Sequence, residues 1–112
     1  MTVQISTRRI DKTTILDISG DIDLAHSTEV RRMVLREFRE NRTPRLILNL
    51  RDVNYIDSSG VASLIEGLKA SKDVGSRLIL FGLSPIAHEV LQLSRLLKIF
   101  EIYDTEDKAL EA

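Results

Sequence analysis

The sequence predicts an α/β domain with a mixed, mostly parallel β-sheet, and three features of its 112 residues lead there. Leu46-Ile47-Leu48 with Leu50, and Leu78 to Phe81, are apolar almost without interruption, as in strands covered on both faces. The segments between such runs carry apolar residues at helical spacing. The first two strand-like runs are separated only by Asp11-Lys12, a connection that favours an antiparallel hairpin.

Taken in order, Val3, Ile5 and Thr7 alternate with polar residues, as in a half-buried strand. Thr13 to Ser19 forms the second strand, which Gly20 ends. A helix runs from Ser27 to about Asn41, with Val30, Met33, Val34 and Phe38 on one stripe. Pro44 stops its continuation. After the third strand, at Leu46 to Leu50, Asp57-Ser58-Ser59-Gly60 leads into a helix with Val61, Leu64, Ile65 and Leu68 on one face. Gly75 suits the end of that helix, because glycine takes the left-handed conformation without steric cost. Leu78 to Phe81 is the fourth strand. Ser84 caps a third helix and Pro85 fits its first position. Ile99 to Tyr103 is a last strand. Thr105-Glu106-Asp107 opens a short terminal helix, with its acids near the positive end. Strands alternating with helices imply right-handed crossovers and a mostly parallel sheet.

Composition narrows the function. A chain of this length is one domain's worth, so residues 1–112 are expected to form a single domain. The hydrophobic share is 43% and the charged share 29%, which argues against disorder. The absence of cysteine excludes disulfides, thiolate metal sites and cysteine nucleophiles. Only His26 and His88 are present, so a histidine-rich zinc site is excluded. Sixteen basic residues against seventeen acidic ones leave a net charge of −1, unlike a general nucleic-acid binder. The sequence has neither a run that spans a bilayer nor a basic and apolar leader, so the expectation is a soluble, cytoplasmic protein.

Ligand sites in open α/β sheets lie beyond the carboxyl ends of the strands. Two polar loops are expected there, Gly20-Asp21-Ile22-Asp23 and Asn54-Tyr55-Ile56-Asp57-Ser58-Ser59-Gly60, side by side on adjacent parallel strands. Taken alone, Asp57-Ser58-Ser59-Gly60 reads as a helix cap followed by a glycine. Its functional reading is an exposed hydroxyl open to modification, where a phosphate would meet a positive helix end. A serine hydrolase needs Gly-x-Ser-x-Gly, and neither Ser58 nor Ser59 has those flanks. No phosphate-binding or dinucleotide-binding glycine motif occurs. Asp21, Asp23 and Asp57 lack a cation-ligand pattern and suit turns and caps. His26 reads as a residue of the first helix turn, and His88 as a surface side chain. Arg31, Arg32, Arg36 and Arg39 share the first helix with Glu29, Glu37 and Glu40, and Glu29/Arg32 and Arg36/Glu40 can pair. That face reads as solvated, and no aromatic platform accompanies it.

The stretch Leu48-Asn49-Leu50-Arg51-Asp52-Val53-Asn54-Tyr55-Ile56-Asp57-Ser58-Ser59-Gly60 resembles the signature of STAS domains, specifically of the anti-sigma factor antagonists. Gly20-Asp21-Ile22-Asp23 is similar to the family's upstream loop motif. Gly75, Ser84-Pro85 and Leu96-Leu97-Lys98-Ile99-Phe100 fall where the family has similar elements. The resemblance implies a STAS-like mixed sheet over 1–112 and a function in partner switching. In that scheme the unmodified antagonist binds an anti-sigma factor that is also a serine kinase, and so frees a sigma factor. The kinase phosphorylates the serine after the aspartate, which matches Ser58, and a PP2C-type phosphatase reverses this. Asp23 and Asp57 would flank the phosphoacceptor, and Asp21, Ser59 and Gly60 would belong to the docking surface. The resemblance implies no catalysis and no cofactor in this chain, ATP belonging to the kinase. It also implies no direct contact with nucleic acid or membrane, and a monomer or weak dimer. Val61-Ala62 departs from the family's frequent Leu-Gly after the signature, which bears on partner choice. A STAS scaffold, an accessory subunit of a signalling assembly or transporter, and a partner-switching regulator of another target are the alternatives.

Overall fold

The computed structural model describes residues 3–112. In chain order the elements are β1 (Gln4–Ile10), β2 (Thr13–Ile22), α1 (Ser27–Arg39), β3 (Arg45–Ile56), α2 (Ser58–Asp73), β4 (Arg77–Phe81), α3 (Pro85–Leu93), β5 (Glu101–Tyr103) and α4 (Glu106–Glu111). The strands make one sheet in the order β1-β2-β3-β4-β5. β1 is antiparallel to β2, and the other neighbours are parallel. The predicted mixed sheet with its opening hairpin is therefore present.

Successive side chains of a strand point to opposite faces, and this sorts the core into two layers. Leu16, Leu46, Leu48, Leu78 and Leu80 pack with Val30, Val34 and Phe38 of α1, Val61 and Leu64 of α2, and Leu91 of α3. The intervening Ile15, Ile47 and Ile79, with Phe81, point the other way, against Ala109 of α4. This explains why the central strands are apolar without alternation. Among the described residues no helix is long and apolar enough to cross a membrane.

The strand boundaries differ from expectation. β2 does not end at Gly20 but continues to Ile22, with register shifts between Asp17 and Ser19 and between Gly20 and Asp21. Gly20 has φ 105°, which suits an irregularity in a strand rather than its end. β3 runs on to Ile56. β5 is shorter than predicted, with three residues. In β1 the alternation fails at Thr7, which is exposed, while Arg8 is half-buried by its ion pairs.

Three polar ties fasten α1 and α4 to the sheet. Glu37, buried at the end of α1, accepts hydrogen bonds from both terminal nitrogens of Arg9 at 3.1 Å. It also accepts from Thr43 Oγ1 and Asn41 Nδ2, each at 2.8 Å. Arg8 forks between Asp17 and Glu106, with shortest contacts of 2.6 Å to each. Arg45 Nη2 donates to the carbonyls of Ala109 and Leu110 at 2.9 Å. The last two ties hold the two ends of α4. Desolvation opposes the Glu37 charge, but the hydrogen bonds from Arg9, Thr43 and Asn41 outweigh it and hold the carboxyl below its ordinary range. Asp17 and Glu106 are also held low, chiefly by the hydrogen bonds from Arg8.

Carboxyls held low in the folded chain bind fewer protons there than in the unfolded chain, so their stabilisation is present above their ordinary values and disappears as pH falls through the folded-state values. The midpoint of urea unfolding is expected to decline once the pH drops below about 4, where ordinary carboxyls titrate. Glu37→Gln should cost about 1–3 kcal/mol at neutral pH, as for a lost hydrogen bond to a charged group, and should flatten the acid decline. A mutant that unfolds with the wild-type midpoint and pH profile would refute the tie.

Candidate functional site

The two predicted polar segments do lie side by side, but as strands more than as loops. β1 pairs with β2 only as far as Ser19, and β4 pairs with β3 only as far as Asn49. β2 and β3 continue together beyond both neighbours, with Gly20 opposite Val53, Asp21 opposite Tyr55 and Ile22 opposite Ile56. The site is thus carried on a two-stranded parallel arm that outruns the body of the sheet. The remaining connections are short: Asp23 to His26 leads into α1, and Asp57 alone joins β3 to α2.

Asp57 fastens this junction. Its Oδ1 accepts from the backbone amides of Ser59 at 2.9 Å and Gly60 at 3.1 Å, capping α2. Its Oδ2 accepts from the amide of Leu24 at 3.0 Å, across the gap to the β2–α1 connection. The Asp57 amide in turn donates to the Ile22 carbonyl at 3.3 Å. One carboxylate therefore caps a helix and binds the neighbouring loop to it. Asp23 braces the connection ahead of α1 without capping the helix with its side chain. Its Oδ1 accepts from the His26 amide at 3.1 Å and lies 2.8 Å from His26 Nδ1. Desolvation works against the Asp23 charge, but the His26 hydrogen bond prevails and holds the carboxyl below its ordinary range. His26 is the residue just before α1 rather than one within its first turn.

Ser58 is the first residue of α2 and is exposed. Ser59 is half-buried, and its carbonyl accepts from Ser63 Oγ at 3.1 Å. Ser63 Oγ also lies 3.2 Å from the Ser27 carbonyl, which joins the starts of the two helices. Gly60, expected on the docking surface, is buried instead. A Cβ there would stand 2.3 Å from the Ile22 carbonyl oxygen and 2.8 Å from Ile56 Cγ1. The position admits no side chain because α2 starts directly against the arm. Asp21 is half-buried within β2. No group of three or more histidines, aspartates and glutamates placed to hold a metal ion occurs among the described residues.

Sequence reasoning missed the apolar members of this surface. Leu24 is 77% exposed and Tyr55 47% exposed. Leu24 is fixed through its amide to Asp57, and Tyr55 stands opposite Asp21 on the arm. Periodicity could not single them out, since Leu24 lies in a short connection and Tyr55 in a stretch of β3 that reads as a polar loop. The cap reading of Asp57-Ser58-Ser59-Gly60 holds, with Asp57 as the capping residue of α2. A phosphate on Ser58 would therefore lie near the positive end of α2, but the Ser59 and Gly60 amides are already taken by Asp57. Replacing Asp57 with alanine is expected to cost about 1–2 kcal/mol, as for a lost helix cap, and to speed amide exchange at Leu24, Ser59 and Gly60. Unchanged exchange at Leu24 would show that Asp57 does not hold the neighbouring loop.

Comparison with known proteins places this geometry in a wider setting. The family model described as STAS domain matches residues 4–109. The anti-sigma F factor antagonist of Paenibacillus polymyxa is 28% identical over 110 residues, covering 98% of this chain and 94% of that protein. A Thermotoga maritima protein of known crystal structure superposes with a TM-score of 0.89 at 26% identity, over 96% of this chain and 92% of its own. The Bacillus protein SpoIIAA shares the fold in both its unphosphorylated and phosphorylated forms. The TM-scores are 0.75 and 0.74, the identities 21% and 22%, and each form matches 96% of this chain over 96% and 97% of its own. The mixed sheet, its helices and the family match over nearly all of the described chain agree, and the chain belongs to the STAS domain family.

Proposed function

We propose that this chain is an anti-sigma factor antagonist that works as a phosphorylation-controlled binding switch in the cytoplasm. Its unphosphorylated form binds an anti-sigma factor that is also a serine kinase, and a sigma factor is released. The kinase then transfers the terminal phosphoryl group of ATP to Ser58 Oγ, forming the new P–O bond while ADP leaves and the hydroxyl proton is lost. The modified chain lets go. A PP2C-type phosphatase hydrolyses the ester and restores binding. The chain itself supplies no catalysis.

One observation carries this reading: Ser58 is an exposed residue with no side-chain hydrogen bond among the described residues, where the arm, α1 and α2 meet. The name of the Paenibacillus relative supports the role, and SpoIIAA shows that this fold exists with and without phosphate.

The electrostatics support the switch. Asp21, Asp23 and Asp57 already make the surroundings of Ser58 acidic, which suits a basic group on the partner. The Ser59 and Gly60 amides are committed to Asp57, so they are not free to neutralise an anion on Ser58. A phosphate adds about −1.5 to −2 charges there. Leu24 and Tyr55 offer apolar contact beside it, and closing a partner over them would strip water from that phosphate. A tenfold loss of affinity takes only about 1.4 kcal/mol, which one badly paired interfacial charge exceeds.

Titration calorimetry with the purified anti-sigma factor tests this. Ser58→Ala is expected to bind like the unmodified protein, and Ser58→Asp at least tenfold more weakly. Equal affinity of the two variants, with the phosphorylated protein also binding unchanged, would overturn the proposal.

A further inference from the structure

The four arginines of α1 are all exposed, but they are not equivalent. Arg32 pairs with Glu29 at 2.7 Å, as the spacing allows. Arg31 reaches across to Glu66 of α2 at 3.2 Å. The pairing of Arg36 with Glu40, equally allowed by spacing, does not form. Among the described residues Arg36 and Arg39 enter none of the ion pairs. Together with Thr28, Glu40 and the half-buried Leu35 they line a surface groove of about 420 Å³, which Arg31 and Arg32 also border. The helix dipole favours cations in a last turn, which accounts for their sign. It does not account for two guanidiniums that make no ion pair although Glu40 lines the same groove.

Charge and dimensions select an occupant. From Arg31 to Arg39 the helix rises about 12 Å, at 1.5 Å per residue. Two turns of a helix or about four extended residues would cover that length. Leu35 and the aliphatic stems of the arginines give the groove an apolar base. Guanidinium forks match discrete carboxylates in bidentate fashion. Glu29 and Glu40 lie on the same helix and repel a continuous anionic array, such as a nucleic-acid backbone or an acidic lipid surface. The groove begins at Thr28, next to Ser27, whose carbonyl receives the Ser63 hydroxyl at the start of α2. α1 and α2 therefore start side by side, and the groove runs along α1 from the end of the molecule that carries Ser58.

We propose that the anti-sigma factor which docks over Ser58 lays an acidic amphipathic segment in this groove. The proposal rests on the reading of Ser58 given above. Its test uses the purified full-length anti-sigma factor and the intact chain. The double variant Arg36→Glu/Arg39→Glu, which touches only exposed side chains, is expected to bind at least tenfold more weakly than wild type and to lose most of the salt dependence of binding. Urea unfolding of the variant checks that it is folded. In parallel, Arg36→Lys/Arg39→Lys keeps the charge and supplies amines, so a carbodiimide should join those lysines to aspartate or glutamate side chains of the partner. If the wild-type chain fails to bind the anti-sigma factor, the Ser58 reading falls and this inference with it. If wild type binds and the glutamate variant binds equally well, or the lysine variant yields no cross-link while bound, the groove proposal alone is overturned.

Discussion

Everything at the candidate site hangs on the carboxylate of Asp57. It takes two amides from the first turn of α2 and one from Leu24, on a different connection. The cap sets where α2 begins, and the cross-link sets how closely the β2–α1 connection approaches it. Backbone donors at a helix start that found no partner would each cost free energy, so the strand-to-helix junction and the loop beside it are stabilised together. Gly60 completes the constraint from below, because nothing larger fits between α2 and the Ile22 carbonyl. Ser58 owes its exposed place to these two residues on either side of it in sequence.

That arrangement separates the group proposed to carry the signal from the groups that hold the fold. Ser58 makes no side-chain hydrogen bond within the described structure, whereas Asp57, Ser59, Gly60 and Ser63 are all engaged. A change of charge at Ser58 therefore meets no structural task that it would interrupt. The proposed switch needs only a surface whose electrostatics change while its shape is kept. Asp23 and His26 stiffen the opposite wall in the same way, through a side chain that closes back on its own connection.

Much of this was legible in the residues. Uninterrupted apolar runs identified the central strands, and the caps Asp57, Ser84 and Thr105 lie immediately before their helices as their chemistry suggests. What remained hidden was set by partners distant in sequence. Gly20 looks like a terminator, yet β3 alongside it carries the strand past two register shifts. Arg8 and Glu106 are 98 residues apart and still share an ion pair. The burial of Glu37 depends on Arg9 from an edge strand and Thr43 from a turn, neither of which helix periodicity can show. Gly60 reads as flexible by composition, whereas close packing makes it one of the most confined positions of the site.

The ends of the sheet have a consequence for how the molecule shares a crowded solution. β5 is three residues long, and β1 presents Arg8 and Arg9 along the opposite border. A border so short on one side and lined by ion-paired arginines on the other is a poor template for adding foreign strands. Self-stacking into ribbons is thereby discouraged. Leu24 and Tyr55 lie away from both borders, so the proposed docking surface and the open edges of the sheet are separate features.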